Sequence, residues 1–296
     1  MSKWMMTHRT NRTGLVLVFA VLGAISCWRV YGQEKKQLRS EYEVLPSAEA
    51  ILDKYVEVTG GKAAYSRLHT QHLEGTVKVG SGSADGRFTS DHAGPANSLE
   101  VVSFGLLQTV RGTNGEVAWQ KSGPLASLGS GQGRLREYGE RDLALLLARF
   151  NADAGWRDLF SKAETAAVEN VNGSECYRID LTVKDGLGIT GGLRVTKYYD
   201  KQSGLLVKIA MLLKVPKTDP AAKAPLEFGE MPWELILGDY RKERDVLVSH
   251  QMIERVGGRQ PITTTIEQVD WNASISRRGY DLPDDIRALL AGKKSQ

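Results

Sequence analysis

Cysteine is scarce in this chain. The two present, Cys27 and Cys176, exclude a disulfide framework and any paired Cys-x-x-Cys zinc or redox motif. Long apolar runs are missing too. The run at residues 15–26, LVLVFAVLGAIS, is twelve residues long, whereas a membrane-spanning helix needs ~20. Net charge is missing once the start of the chain is set aside. The first 32 residues hold Lys3, Arg9, Arg12 and Arg29 and no acid, so removing these four of the 39 basic residues leaves 35, equal to the 35 acidic ones. Binding to nucleic acid or to acidic surfaces through overall charge is thereby excluded. There is no phosphate-binding glycine loop with a terminal Lys, no dinucleotide fingerprint and no G-x-S-x-G elbow.

What is present describes an exported, β-rich protein. Hydrophobic residues make up 41% and charged residues 25%, which is the composition of a folded globular chain. Glycine, 31 of 296 residues, exceeds its usual share of about 7% and favours many turns. Residues 1–32 combine a basic start, the short apolar run and small residues at Val30 and Gly32. That is the three-part pattern of a secretory signal peptide, with Gln33 as the mature start. Two other fates stay open. Ala24-Ile25-Ser26-Cys27 is close to a lipobox, which would lipidate Cys27, and the apolar core extends weakly to Tyr31, which would leave an uncleaved anchor. All three place residues 45–296 outside the cytoplasm.

Residues 33–45 are charged and aperiodic and read as a linker; 46–291 read as a single domain, and 292–296 as a polar tail. Ser47 is an N-cap, and Ile51, Leu52, Tyr55 and Val56 form a stripe at helical spacing that ends at Gly60-Gly61. A short second helix is expected at 62–68. From residue 70 the period changes to 2, with Leu73, Val77 and Val79 on one face. Strands are expected at 72–79, 84–92, 97–104, 106–112, 115–121, 175–184, 192–200, 204–215, 232–243, 245–256 and 261–271. Residues 122–137 read as a Gly/Ser-rich loop, 139–162 as an apolar helix carrying Leu143, Leu146, Leu147, Phe150, Trp156, Leu159 and Phe160, 216–231 as an insertion, and 284–291 as a terminal helix. About eleven strands at hairpin spacing without a βαβ rhythm predict an α+β, mainly β fold. It is a curved antiparallel sheet or half-open barrel with helices covering its concave face.

Titratable residues form no evident site. His69 and His72 straddle a helix-to-strand junction and lack a third ligand, so no metal is expected. Asp91, Glu100, Glu116, Asp180, Asp200, Asp239 and Asp270 fall mostly on outward positions, and Cys176, near a strand start, reads as a small buried hydrophobe. The apolar helices and the one-sided sheet allow two readings: a filled core, or an apolar cavity lidded by 139–162 and the helix at 47–59.

Several segments carry a family resemblance. Residues 45–62 resemble the opening helix of bacterial outer-membrane lipoprotein-sorting proteins, the LolA/LolB-like family. Asn114-Gly115-Glu116-Val117-Ala118-Trp119, the hairpin Tyr198-Tyr199-Asp200-Lys201-Gln202-Ser203-Gly204-Leu205-Leu206-Val207, Asp239-Tyr240-Arg241 and the ending Tyr280-Asp281-Leu282-Pro283 are similar to the family's motifs in the same order. The resemblance covers nearly all of 45–287. It implies a periplasmic half-open barrel with an apolar concave face for acyl chains, and it makes Arg87 and Arg111 candidates for a residue that latches the lid.

The expected function is a non-enzymatic carrier or binding protein, without cofactor, for lipid or lipoprotein acyl chains. Leu73, Val77, Val101, Val110, Trp119, Tyr177, Ile179, Leu181, Val207 and Ile209 would line the cavity; Leu146, Phe150, Trp156 and Phe160 would close it. The chain is expected to be a monomer with no nucleic-acid partner. The alternative is an envelope structural or sensor module of the same fold, with a filled core and a protein partner.

Overall fold

The computed structural model describes residues 44–81, 85–94, 97–114, 117–136, 153–185, 193–216, 228–274 and 280–294. The fold is that of the second of two units, Pro46–Gln296. Helix α1, Ala48–Val58, starts where the Ser47 hydroxyl accepts a hydrogen bond from the Ala50 amide at 3.2 Å, which satisfies one of the helix's unpaired amino-terminal donors. Its stripe of Ile51, Leu52, Tyr55 and Val56 is buried. After a short α2, Lys62–Tyr65, the chain enters the sheet.

Six strands follow in the order β1 Thr70–Val79, β2 Gly86–Ala93, β3 Asn97–Phe104, β4 Leu107–Asn114, β5 Ala118–Pro124 and β6 Gln132–Arg136. One helical turn, α3 Trp156–Leu159, then leads directly into β7 Phe160–Val171, β8 Ser174–Val183, β9 Arg194–Asp200, β10 Leu206–Pro216, β11 Phe228–Glu243, β12 Val246–Val256 and β13 Ile262–Trp271. Helix α4, Asp284–Lys294, comes last. The strands form a thirteen-stranded sheet in the order β6-β5-β4-β3-β2-β1-β13-β12-β11-β10-β9-β8-β7. All twelve neighbouring pairs are antiparallel. The sheet is curved and does not close, because β6 and β7 are its two edges.

The structure corrects the expected strand count in two places. The Gly/Ser-rich segment at 122–137 holds the end of β5, a 3-10 turn at Ala126–Leu128 and all of β6. The apolar helix expected at 139–162 is, in its described part, a 3-10 turn and four helical residues, after which Phe160 starts β7. Residues 139–152, with Leu146 and Phe150, lie outside the described residues, as do residues 1–43 with Cys27. β11 also starts inside the expected insertion, at Phe228.

The two faces of the sheet are covered differently. α1 packs on the concave face over β8–β11. There Leu52, Ile179, Leu181, Val195, Tyr199, Ile209 and Trp233 form a packed core joined by Trp156 and Phe160. α4 lies on the opposite face over β4–β6, where its Ile286 buries Trp119, Val110 and Ala126. The approach is close at Gly112, where a Cβ would stand 2.4 Å from the Trp119 ring. The terminal helix therefore does not share the concave face with α1.

Candidate functional site

The concave face of β1–β4 and β11–β13 encloses a cavity of ≈ 390 Å³. Its wall can be read in tiers, because antiparallel register sets each inward side chain beside its cross-strand partner. One tier is Gln71, His92, Ser98 and Thr113. The next is Leu73, Ser90, Glu100 and Arg111. The third is Gly75, Phe88, Val102 and Thr109. Beyond it Val77 faces Thr264, which faces Met252, which faces Leu237. All of these except Gly75 line the cavity. Across β1–β4 the wall thus grades from polar, at the Gln71 end of the strands, to apolar at the Val77 end; on β12, Glu254 lies one tier past Val77, beside Ile262 and Val79.

The polar tiers are internally bonded. Arg111 Nη1 donates to Glu100 Oε1 at 2.7 Å, with 30% and 26% of the two side chains exposed. Ser90 Oγ lies 3.0 Å from His92 Nε2. The other carboxylate in the wall, Glu254, accepts from the Trp233 indole N–H at 2.7 Å. At the apolar end Leu73, Val77, Phe88 and Ile266 are buried together, with Val102, Phe104, Met252 and Ile262 packed on them.

Beside the cavity, under α1, lies a second polar feature. Lys197 projects from β9 into the packed core, fully buried, with its ammonium 2.5 Å from the Asp153 carboxylate. Tyr199 donates to the same carboxylate at 3.3 Å, and Arg157 pairs with Asp53 of α1 at 3.0 Å. These pairs tie the segment before β7 to the sheet and to α1. Burial, and next the charge of Asp153, holds the Tyr199 hydroxyl well above its ordinary pKa.

The residues singled out from the sequence are dispersed. Leu73, Val77 and Arg111 line the cavity. Ile179, Leu181, Ile209, Trp156 and Phe160 belong to the packed core under α1. Tyr177 borders a smaller cavity of ≈ 180 Å³ beside Pro46 and Lys54. Val101, Val110 and Trp119 are on the opposite face under α4. Val207 packs in a separate cluster on the β7–β10 half of the sheet, with Cys176 and Tyr198 and away from α4. Arg87 also points away from the cavity and pairs with Glu267 at 3.0 Å.

Glu100 is a correction in the other direction. The strand around it buries both faces to a similar degree, so alternation did not mark its side as inward. Gln71, Ser90 and Thr113 were missed for a related reason: polar residues on an inward face look outward to a hydrophobic pattern. His72 pairs not with His69 but with Asp91 at 2.6 Å and Glu74 at 3.0 Å, on the outer face. The Cys176 thiol is fully buried, and burial pushes its pKa up, which disfavours the reactive thiolate.

No protein-family model matches the sequence, and no curated protein does. Solved structures do. A protein described as an outer membrane lipoprotein-sorting domain, from Vibrio parahaemolyticus, is similar with a TM-score of 0.48 at 10% identity, over 79% of this chain and 96% of that one. A DUF1329 family protein from Desulfovibrio piger has a TM-score of 0.48 at 12% identity, over 79% and 97%. A LolA superfamily protein from Nitrosomonas europaea has a TM-score of 0.47 at 10% identity, over 80% and 99%. Among the described residues no helix is long and apolar enough to cross a membrane.

Proposed function

We propose that this protein is an exported, non-enzymatic binder of acyl chains, held in the cavity between β1–β4 and β11–β13. The observation that carries this reading is the graded wall: an apolar end of buried Leu73, Val77, Phe88 and Ile266, continuous with a polar end in the same cavity. The volume, ≈ 390 Å³, falls in the range of roughly 300–1,000 Å³ typical of small-ligand sites. Each methylene transferred from water to such a wall stabilises the complex by about 0.8 kcal/mol. The signal-peptide pattern of residues 1–32 supports export.

The test is displacement of a fluorescent fatty acid from the purified, delipidated protein. Wild type binds the probe. Val77→Trp, which fills the apolar end, loses it while keeping its thermal unfolding temperature. A wild-type protein that binds no probe, or a filled variant that binds it equally well, overturns the reading.

A further inference from the structure

The polar end of the cavity is a built feature. Every pleat of β3 and β4 that faces inward at this end carries a polar side chain, Ser98 and Glu100 on one strand and Arg111 and Thr113 on the other. Gln71 and Ser90, 4% and 3% exposed, close the tiers from β1 and β2. In this wall Glu100 carries a negative charge and Arg111 a positive one, and one contact at 2.7 Å joins them. A guanidinium has five donors and a carboxylate about four acceptor sites, so one contact leaves bonding capacity on both. The other carboxylate, Glu254, is engaged by the Trp233 indole. A ligand with one net charge would be attracted by one member of the Glu100–Arg111 pair and repelled by the other. A head carrying both charges meets each with its opposite.

We infer that the cavity takes a single-chain amphiphile with a zwitterionic phosphate head, its phosphate at Arg111, its ammonium at Glu100 and its chain along the Phe88–Val77 tiers. This rests on the acyl-chain reading above and names the ligand class. One chain rather than two follows from the volume, ≈ 390 Å³, near the lower end of the usual range of roughly 300–1,000 Å³. The same head chemistry exists as a free phosphate ester, and the chain separates the two sources.

The experiment measures displacement of the fluorescent fatty acid by four competitors: lysophosphatidylcholine, the fatty acid of matched chain length, an alkyl trimethylammonium of that length, and free phosphocholine. Lysophosphatidylcholine is expected to displace the probe at about tenfold lower concentration than the fatty acid, the change that one charge-assisted hydrogen bond produces. Free phosphocholine is expected to displace none. Glu100→Gln removes the repulsion and reverses the order in favour of the fatty acid. Arg111→Gln shifts preference to an alkyl trimethylammonium. The exchange Glu100→Arg with Arg111→Glu keeps the pair and net charge, and retains the zwitterion preference even where either single variant fails to fold.

An unchanged order of competitors in folded Glu100→Gln or Arg111→Gln, loss of the zwitterion preference in the folded charge exchange, or displacement by free phosphocholine alone, overturns the headgroup assignment and leaves acyl-chain binding standing. Absence of probe binding in wild type overturns both.

Discussion

Two residue positions carry effects that can be measured directly. The buried Lys197–Asp153 pair sits in an otherwise apolar core, where breaking an ion pair leaves a charge without its counter-charge. Asp153→Ala or Lys197→Met alone should cost about 3–5 kcal/mol in denaturant unfolding. The double variant Lys197→Met with Asp153→Leu should recover most of that loss, since apolar replacement of both partners removes the desolvation penalty. A double variant no more stable than the singles would show that the pair contributes net stability. His72 acts through pH. Burial lowers its pKa, but hydrogen bonds and charge from Glu74 and Asp91 outweigh burial, and the net shift is upward from 6.5. A raised folded pKa means the folded state binds the proton more tightly. Its stabilising contribution is therefore complete below pH 6.5 and fades as pH rises through the shifted value. His72→Gln should flatten the fall in stability above pH 6.5; an unchanged pH profile would remove His72 from the account.

At the scale of elements, α1 is legible from its own residues. Its cap, its apolar stripe and its glycine stop all lie within residues 47–61, and a helix needs only local contacts to set its bounds. Ser47→Ala should lower stability by ~1 kcal/mol, the usual cost of losing an N-cap bond, and Ser47→Asp should restore it. Equal stability of the three in thermal unfolding would show the cap to be idle. The strands missed from the sequence, β6 and β7, are the two edges of the sheet. β7 is Ala-, Glu- and Lys-bearing, with only its two end residues buried, and these residues are depleted in strands. Only its pairing with β8 makes it one. β6 is five residues, short in the way edge strands often are.

At the scale of the whole molecule, the sheet is divided between two tasks. Under α1 the concave face is filled; over β1–β4 the same face lines a cavity. The opposite face of β4–β6 depends on α4, since Ile286, fully buried, covers Trp119 and Val110. Truncation before Asp284 should expose Trp119, seen as a red-shifted indole emission with binding of a hydrophobic dye, and should lower the unfolding midpoint. The α1 core should stay folded in the truncated protein. Loss of all structure on truncation would show that the two halves fold only as one.

The sequence by itself determined what depends on neighbours along the chain: the bounds of α1, the period-2 strands, and an antiparallel β architecture from hairpin spacing. Leu73 and Val77 could be named as candidates for the same reason, because inward alternation on an ordinary strand is visible locally; Arg111 was a candidate only through the family resemblance. The tertiary structure decided which inward positions meet a cavity and which meet a helix. Ile179 and Leu73 have the same pattern in sequence, yet α1 sits on one and the cavity on the other. It also decided that Glu100 and Arg111 face each other, since that pair exists only in the β3–β4 register. The physical reason is range: periodicity reports which side of a strand is apolar, while what covers that side is chosen by packing between segments far apart in the chain.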